Sequence, residues 1–302
     1  LALSLNSSAI LHLSYENPLR ANLESEKALS LFKSQIEKNG SRGYGLALLT
    51  KGRALRMLGS YWRYAGDSNV FKNHLDKSIT VLQEAEQIFS KVDEDIRVLQ
   101  THKELGCAYR ESFLMLQEEH EEEKARFAAK KAEMYYETII SSTESKKKYP
   151  LLYVDVCHDL ALFYFLQKKT SLAEEFLNKA IGEIPPAYRA FAKEADLHFS
   201  EDYWQILGKI YWLKGDLAFR GIQFPVGYAN GESLSDDPDD KNQQKLEQAF
   251  RYYVQSAAYF GRFLAVPVVS TNYSLDSQSL ESHSRFAQKL YESLSDLHEK
   301  DL

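Results

Sequence analysis

A small residue followed three positions later by Leu or Tyr recurs four times along this chain, each time inside a stretch otherwise suited to a helix. The segments are Lys51-Gly52-Arg53-Ala54-Leu55, Leu105-Gly106-Cys107-Ala108-Tyr109, Leu160-Ala161-Leu162-Phe163-Tyr164 and Leu207-Gly208-Lys209-Ile210-Tyr211. Their small residues, Gly52, Gly106, Ala161 and Gly208, lie 54, 55 and 47 residues apart. A repeat at such a period constrains the fold strongly, because each unit buries its apolar face only against its neighbours. Glycine inside a helix costs about 0.5–1 kcal/mol relative to alanine, so three glycines at matching positions point to a packing requirement. Small residues let two helices approach, and the large side chains fill the groove beside them.

The rest of the sequence agrees with a chain built from helices. With 14 Gly and 7 Pro in 302 residues it is poor in turn formers, and every proline falls where a helix would start or stop. Apolar spacing predicts a leading helix pair over 1–40 (Leu3–Tyr15, Leu19–Glu37, stopped by Asn39-Gly40). Repeat one covers 43–91, repeat two 94–143, repeat three 150–185 and repeat four 200–264, the last interrupted by an insertion over 221–242. A capping helix over 276–300 carries Phe286, Leu290, Leu294 and Leu297 at helical spacing.

Trp204-x-x-Leu207-Gly208-x-x-Tyr211 resembles the first-helix signature of the tetratricopeptide family. Repeat three adds Ala161 and Tyr164 on its first helix and Ala173, Ala180 and Pro185 on its second, at that family's offsets. The resemblance implies an all-α fold, an α-α superhelix: a tetratricopeptide-like solenoid of about four long helical hairpins plus flanking helices. The whole of 1–302 would then form one helical-repeat domain. The family's period is about 34 residues, and the excess here is assigned to longer helices and longer turns at Tyr61–Phe71 and Gln117–Glu123. In style the repeats also resemble sensor and interaction regions of large bacterial signalling proteins.

In the family the first helix of each hairpin, helix A, lines the concave surface. Carried onto this chain, the inward positions are Arg53 and Arg56 with Leu49, then Lys103, Cys107 and Arg110. Repeat three contributes Asp155, His158, Leu162 and Phe165, and repeat four Asp202, Gln205, Lys209 and Trp212. Residues three or four apart share a helix face, so the set is coherent. The resemblance implies a scaffold or sensor module whose partner is a protein or peptide. A groove with Arg53, Arg56, Lys103 and Arg110 in its first half suits a partner bearing an acidic or carboxylate group. A small anionic ligand, such as a nucleotide or a short peptide signal, is the alternative. Further domains of a longer parent chain are a third kind of partner.

Other chemistries find little support. A net charge of −6 disfavours nucleic acid, whose binding rests on neutralising phosphates. Two cysteines build no disulfide framework, and with no apolar run long enough for a membrane span the expected compartment is the cytoplasm. No phosphate-binding glycine loop, no G-x-S-x-G elbow and no H-E-x-x-H pair is present, so no enzymatic activity and no cofactor are expected. His120 among five glutamates reads as a solvated helix junction, and the run Asp236-Asp237-x-Asp239-Asp240 does not fit a calcium loop, so no metal is assigned. An enzyme with an unrecognised helical site is the weakest reading, and it would show as titratable groups with strongly shifted pKa values in a cleft.

Overall fold

The structure is a computed structural model, and it describes residues 1–14, 17–33, 41–92, 94–189, 202–220 and 240–265. All regular structure among these residues is helical. The helices are α1 (Ala2–Ser14), α2 (Pro18–Lys33), α3 (Ser41–Tyr64), α4 (Ser68–Lys91), α5 (Asp95–Glu118), α6 (Glu122–Ile140), α7 (Thr143–Lys148), α8 (Pro150–Leu166), α9 (Thr170–Glu183), α10 (Pro186–Arg189), α11 (Asp202–Arg220) and α12 (Asp240–Ala265). The short helices α7 and α10 fall outside the sequence-based repeats. The chain divides into two compact units, and the division falls inside α8, between Asp159 and Leu160. The predicted capping helix over 276–300 and most of the 221–242 insertion lie outside the described residues.

In the first compact unit α1 packs on α2, α3 on α4 and α5 on α6, while α2 also packs on α3 and α4 on α5. In the second, α11 packs on α12. The glycines explain how closely these partners sit. A Cβ added to Gly45, Gly52 or Gly59 of α3 would lie 2.9, 2.5 or 3.1 Å from Phe89, Leu82 or Phe71 of α4. The glycines rise by seven while their partners descend, the register of two antiparallel helices in close contact. Gly208 and Gly215 repeat the arrangement in α11, where a Cβ would meet Phe260 at 2.6 Å and Tyr253 at 2.5 Å. Gly106 of α5 lies under the Tyr136 ring in the same way, at 2.6 Å.

A second device recurs four residues before the large partner. Ser78 Oγ donates to the Gly52 carbonyl at 2.7 Å, and Ser256 Oγ donates to the Gly208 carbonyl at 2.8 Å. The matching positions of the other two hairpins are Ala132 and Ala173, both fully buried. Small residues here keep the backbones close, and the serines add a bond to a carbonyl whose solvation is lost.

The turns correct one part of the expectation, that longer turns as well as longer helices account for the long period. Helices α3 and α4, α5 and α6, and α8 and α9 are each joined by three residues: 65–67, 119–121 and 167–169. Each turn places a residue in the left-handed region, Gly66 at φ 82°, His120 at φ 59° and Lys168 at φ 64°. The following amide reaches back five residues: Asp67 N to Trp62 O, Glu121 N to Leu116 O and Lys169 N to Tyr164 O, at 3.0, 2.9 and 2.9 Å. This is a helix-terminating double bond pattern that normally recruits glycine. His120 therefore has a structural role at a hairpin tip, as a solvated junction residue.

The left-handed residue lies 14 positions after the small residue in the first two hairpins (Gly52 to Gly66, Gly106 to His120) and 7 positions after it in the third (Ala161 to Lys168). Seven residues are close to two helical turns, so adding them lengthens a helix without rotating its apolar face far. The first two hairpins are thus longer by about two turns per arm, and their extra length is helix.

Candidate functional site

Successive helices A in the first compact unit, α3, α5 and α8 up to Asp159, present charges in a fixed order. On α3 Arg53, Arg56 and Arg63 recur at helical spacing. Helix α5 turns Glu104, Glu111 and Glu118 toward α3, and it turns Lys103 and Arg110 toward Asp155 and Asp159 of α8. Arg56 forks between two carboxylates, with Nη2 2.8 Å from Glu104 Oε2 and Nη1 3.0 Å from Glu111 Oε1. Arg53 approaches Glu104 at 3.6 Å, Ser60 donates to Glu111 at 2.8 Å and Arg63 pairs with Glu118. Lys103 pairs with Asp155 and lies 3.8 Å from Asp159, while Arg110 reaches Asp159 at 3.6 Å.

Apart from Arg63 and Glu118, these ions are largely withdrawn from solvent, the side chains of Arg56, Glu104 and Asp155 being 15%, 10% and 2% exposed. A buried pair survives only when its attraction and hydrogen bonds offset desolvation. Burial alone would raise the Glu104 carboxyl, yet the charges of Arg56, Arg53 and Lys103 hold it at about 2. Against its burial, Lys103, His158 and Arg110 hold the Asp159 carboxyl well below the ordinary carboxylate range. The guanidiniums of Arg56 and Arg110 move upward despite burial, because acidic groups surround them.

Cys107 lies inside the same network. Its thiol points to Asp159 at 3.6 Å and accepts from the Tyr136 hydroxyl at 3.4 Å. Burial and the Asp159 charge push that thiol up to about 11, and burial drives the Tyr136 phenol upward as well. A thiol held protonated is a poor nucleophile. Each shifted group in the network has moved away from neutral pH, the pattern of mutually neutralised ions and not of a poised acid and base.

The placement of the expected site residues follows from this. Arg53, Arg56, Lys103 and Arg110 are each paired with a carboxylate of the protein. The expectation that they await an anionic partner is therefore corrected: Glu104, Glu111, Asp155 and Asp159 already supply the counter-charge. His158 is buried, 3.5 Å from Asp159. In the second compact unit Phe165 lies 3.9 Å beneath the Arg220 guanidinium, and its carbonyl accepts from Arg220 at 2.7 Å. Gln205 is buried, Lys209 is half-buried, and Trp212 packs at 4.7 Å on Tyr253. Tyr253 in turn donates to Asp216 at 2.7 Å. Most of the expected aromatic surface is thus engaged internally.

The sequence reading missed a cleft beside the ion network. It has a volume of about 90 Å³. Ile10 and Leu13 of α1, Leu46 and Leu49 of α3 and Leu152 of α8 line it on the apolar side. Arg97, Gln100 and Lys103 of α5 line it on the polar side, with Arg53 and Glu104. Arg97 Nη1 donates to Gln100 Oε1 at 2.7 Å, its Nε is buried without a hydrogen-bond partner, and no carboxylate pairs with Arg97 among the described residues. Nothing in the local sequence marks Arg97, which lies six residues before Lys103, the first position of α5 named from the family offsets.

Among the described residues no group of His, Cys, Asp and Glu could hold a metal ion, and no helix is long and apolar enough to cross a membrane. No protein-family profile matches the sequence, and no curated protein matches it. Among solved structures the chain is similar to a circular tandem repeat protein with novel repeat topology and enhanced subunit contact surfaces, at 12% identity and a TM-score of 0.34, covering 100% of this chain and 72% of that one. It is also similar to BtubC (BKLC) from P. vanneervenii, at 13% identity and a TM-score of 0.33, covering 91% of this chain and 96% of that one. Likenesses this distant carry no information about the site.

Proposed function

We propose that this chain is a tetratricopeptide-like interaction module that holds a protein or peptide partner on the helix-A face of its first compact unit. The observation that supports the reading is the cleft of about 90 Å³ on that face, bordered by an ion network that is already neutral and closely tied. A surface fixed before binding spares the ordering cost that weakens association. The partner is then recognised by shape, apolar contact and Arg97, which no carboxylate pairs among the described residues, and the paired arginines serve as its rigid bed. A nucleotide suits the cleft poorly, since pockets for such ligands usually run to about 300 Å³ or more. The directions in which Glu104, Asp159, Cys107 and Tyr136 are shifted favour binding over catalysis. A reducing compartment such as the cytoplasm suits the two buried free thiols, Cys107 and Cys157.

The test is selection of binding peptides from a displayed random library by the full chain, followed by hydrogen-exchange mapping of the bound complex. Protection should concentrate on 46–53 of α3 and 97–104 of α5. Protection confined to the second helices of the hairpins, α4 and α6, would overturn the reading.

A further inference from the structure

We propose that the cleft beside Arg97 is a binding site for a single carboxylate carried on a short aliphatic group, an inference that rests on the helix-A face being the recognition surface. Charge counting comes first. Among the described residues, and leaving aside the exposed Arg63–Glu118 pair, the cations around the cleft and its adjoining network are Arg53, Arg56, Arg97, Lys103 and Arg110; the acids are Glu104, Glu111, Asp155 and Asp159. Every acid is held by one or more of the other four cations, at separations up to 3.8 Å, which leaves Arg97 as the surplus. Its hydrogen bond to Gln100 fixes the guanidinium without neutralising it. One excess positive charge calls for a monoanion, and a guanidinium fork matches a carboxylate in shape. A phosphate would meet a single unneutralised cation here.

The remaining surface decides what carries the carboxylate. Leu13, Leu46, Leu49 and Leu152 supply an apolar lining with no charge of its own. A volume of about 90 Å³ is several times the roughly 10–15 Å³ that one water requires on this measure, and well below the size of a drug-like site. The ligand that fits is a branched or linear chain of a few carbons ending in –CO₂⁻. Two sources carry this chemistry: a free short-chain acid, and the C-terminal residue of a peptide ending in an aliphatic side chain.

Titration calorimetry on the full chain separates them. The probes are 4-methylpentanoate, its amide, N-acetyl-leucine and N-acetyl-leucine amide. Both acids should bind more tightly than their amides. If 4-methylpentanoate binds and N-acetyl-leucine does not, the ligand is a free acid; if N-acetyl-leucine binds at least as well, it is a chain end. Arg97→Gln should weaken either acid by about tenfold or more, the scale of a charge-assisted hydrogen bond. Leu49→Trp should block binding by filling the cleft.

Absence of binding by both acids, or amides that bind as well as acids, overturns the proposal without any variant. Acid binding unchanged in a folded Arg97→Gln protein overturns it too. Failure here differs from failure of the broader reading. A selected peptide that protects the helix-A face while neither acid binds removes only the carboxylate site, whereas peptide protection on α4 and α6 removes the recognition surface itself.

Discussion

The interior of each hairpin and the face formed by successive helices A solve one problem, holding two helices together, by opposite means. Within α3 and α4 the contact is glycine against large apolar side chains, and a Cβ on Gly52 would come within 2.5 Å of Leu82. Between α3 and α5 it is charge against charge, Arg56 set 2.8 Å from Glu104 and 3.0 Å from Glu111. The first contact tolerates no added volume and the second no lost partner. Hairpin packing is made by residues close in sequence and forms as a local unit. The ion network joins residues one repeat apart and supplies the register between hairpins, because a shifted helix would leave buried charges unpaired.

The largest effect is expected at Arg56. Arg56→Met removes the ion-pair partner of buried Glu111 and leaves Glu104 only the longer contact with Arg53 at 3.6 Å, and should destabilise the protein by about 3–5 kcal/mol in urea unfolding. Adding Glu104→Leu and Glu111→Leu to that variant should restore much of the loss. If Arg56→Met alone changes stability by less than about 1 kcal/mol, the network does not hold the hairpins in register.

Acid sharpens the same contrast. Glu104 ionises at about 2 in the folded protein and at its ordinary 4.5 when unfolded. Its folded pKa is depressed, so its contribution is present above pH 4.5 and is lost as pH falls from 4.5 toward 2. The loss is on the order of 3 kcal/mol. Melting temperatures measured across that window should fall steeply in the native chain and less so in the Arg56→Met/Glu104→Leu/Glu111→Leu protein. Parallel pH profiles would disprove the assignment.

Smaller effects separate the two kinds of helical glycine. Gly106→Ala pushes a methyl to within 2.6 Å of the Tyr136 ring and should cost about 1–3 kcal/mol. Gly182 of α9 has nothing within 4 Å of an added Cβ, so Gly182→Ala should stabilise, by at most about 1 kcal/mol. Thermal melts that move in the same direction for both variants would show that the glycines of helix A are not there for close packing.

Much of this architecture was legible because it rests on local patterning. Helix periodicity, the small residue before Leu or Tyr, and the resemblance at Trp204–Tyr211 identified the hairpins without knowledge of contacts. Gly45 and Gly59 were overlooked although they stand seven residues either side of Gly52, a spacing visible in the sequence once antiparallel register is considered. The tightness of the turns is not legible, since His120 and Lys168 occupy a left-handed position where glycine would have announced the stop.

The helices and their pairing into hairpins follow from spacing along the chain. What neutralises Arg53, Arg56, Lys103 and Arg110 is set by tertiary packing. Glu111 lies 55 residues from Arg56, and Asp159 lies 49 residues from Arg110. Whether such pairs meet depends on how one hairpin is set against the next, a matter of a few ångströms in register. The same register leaves Arg97, unremarkable in its own segment, beside an apolar cleft with no carboxylate paired to it among the described residues.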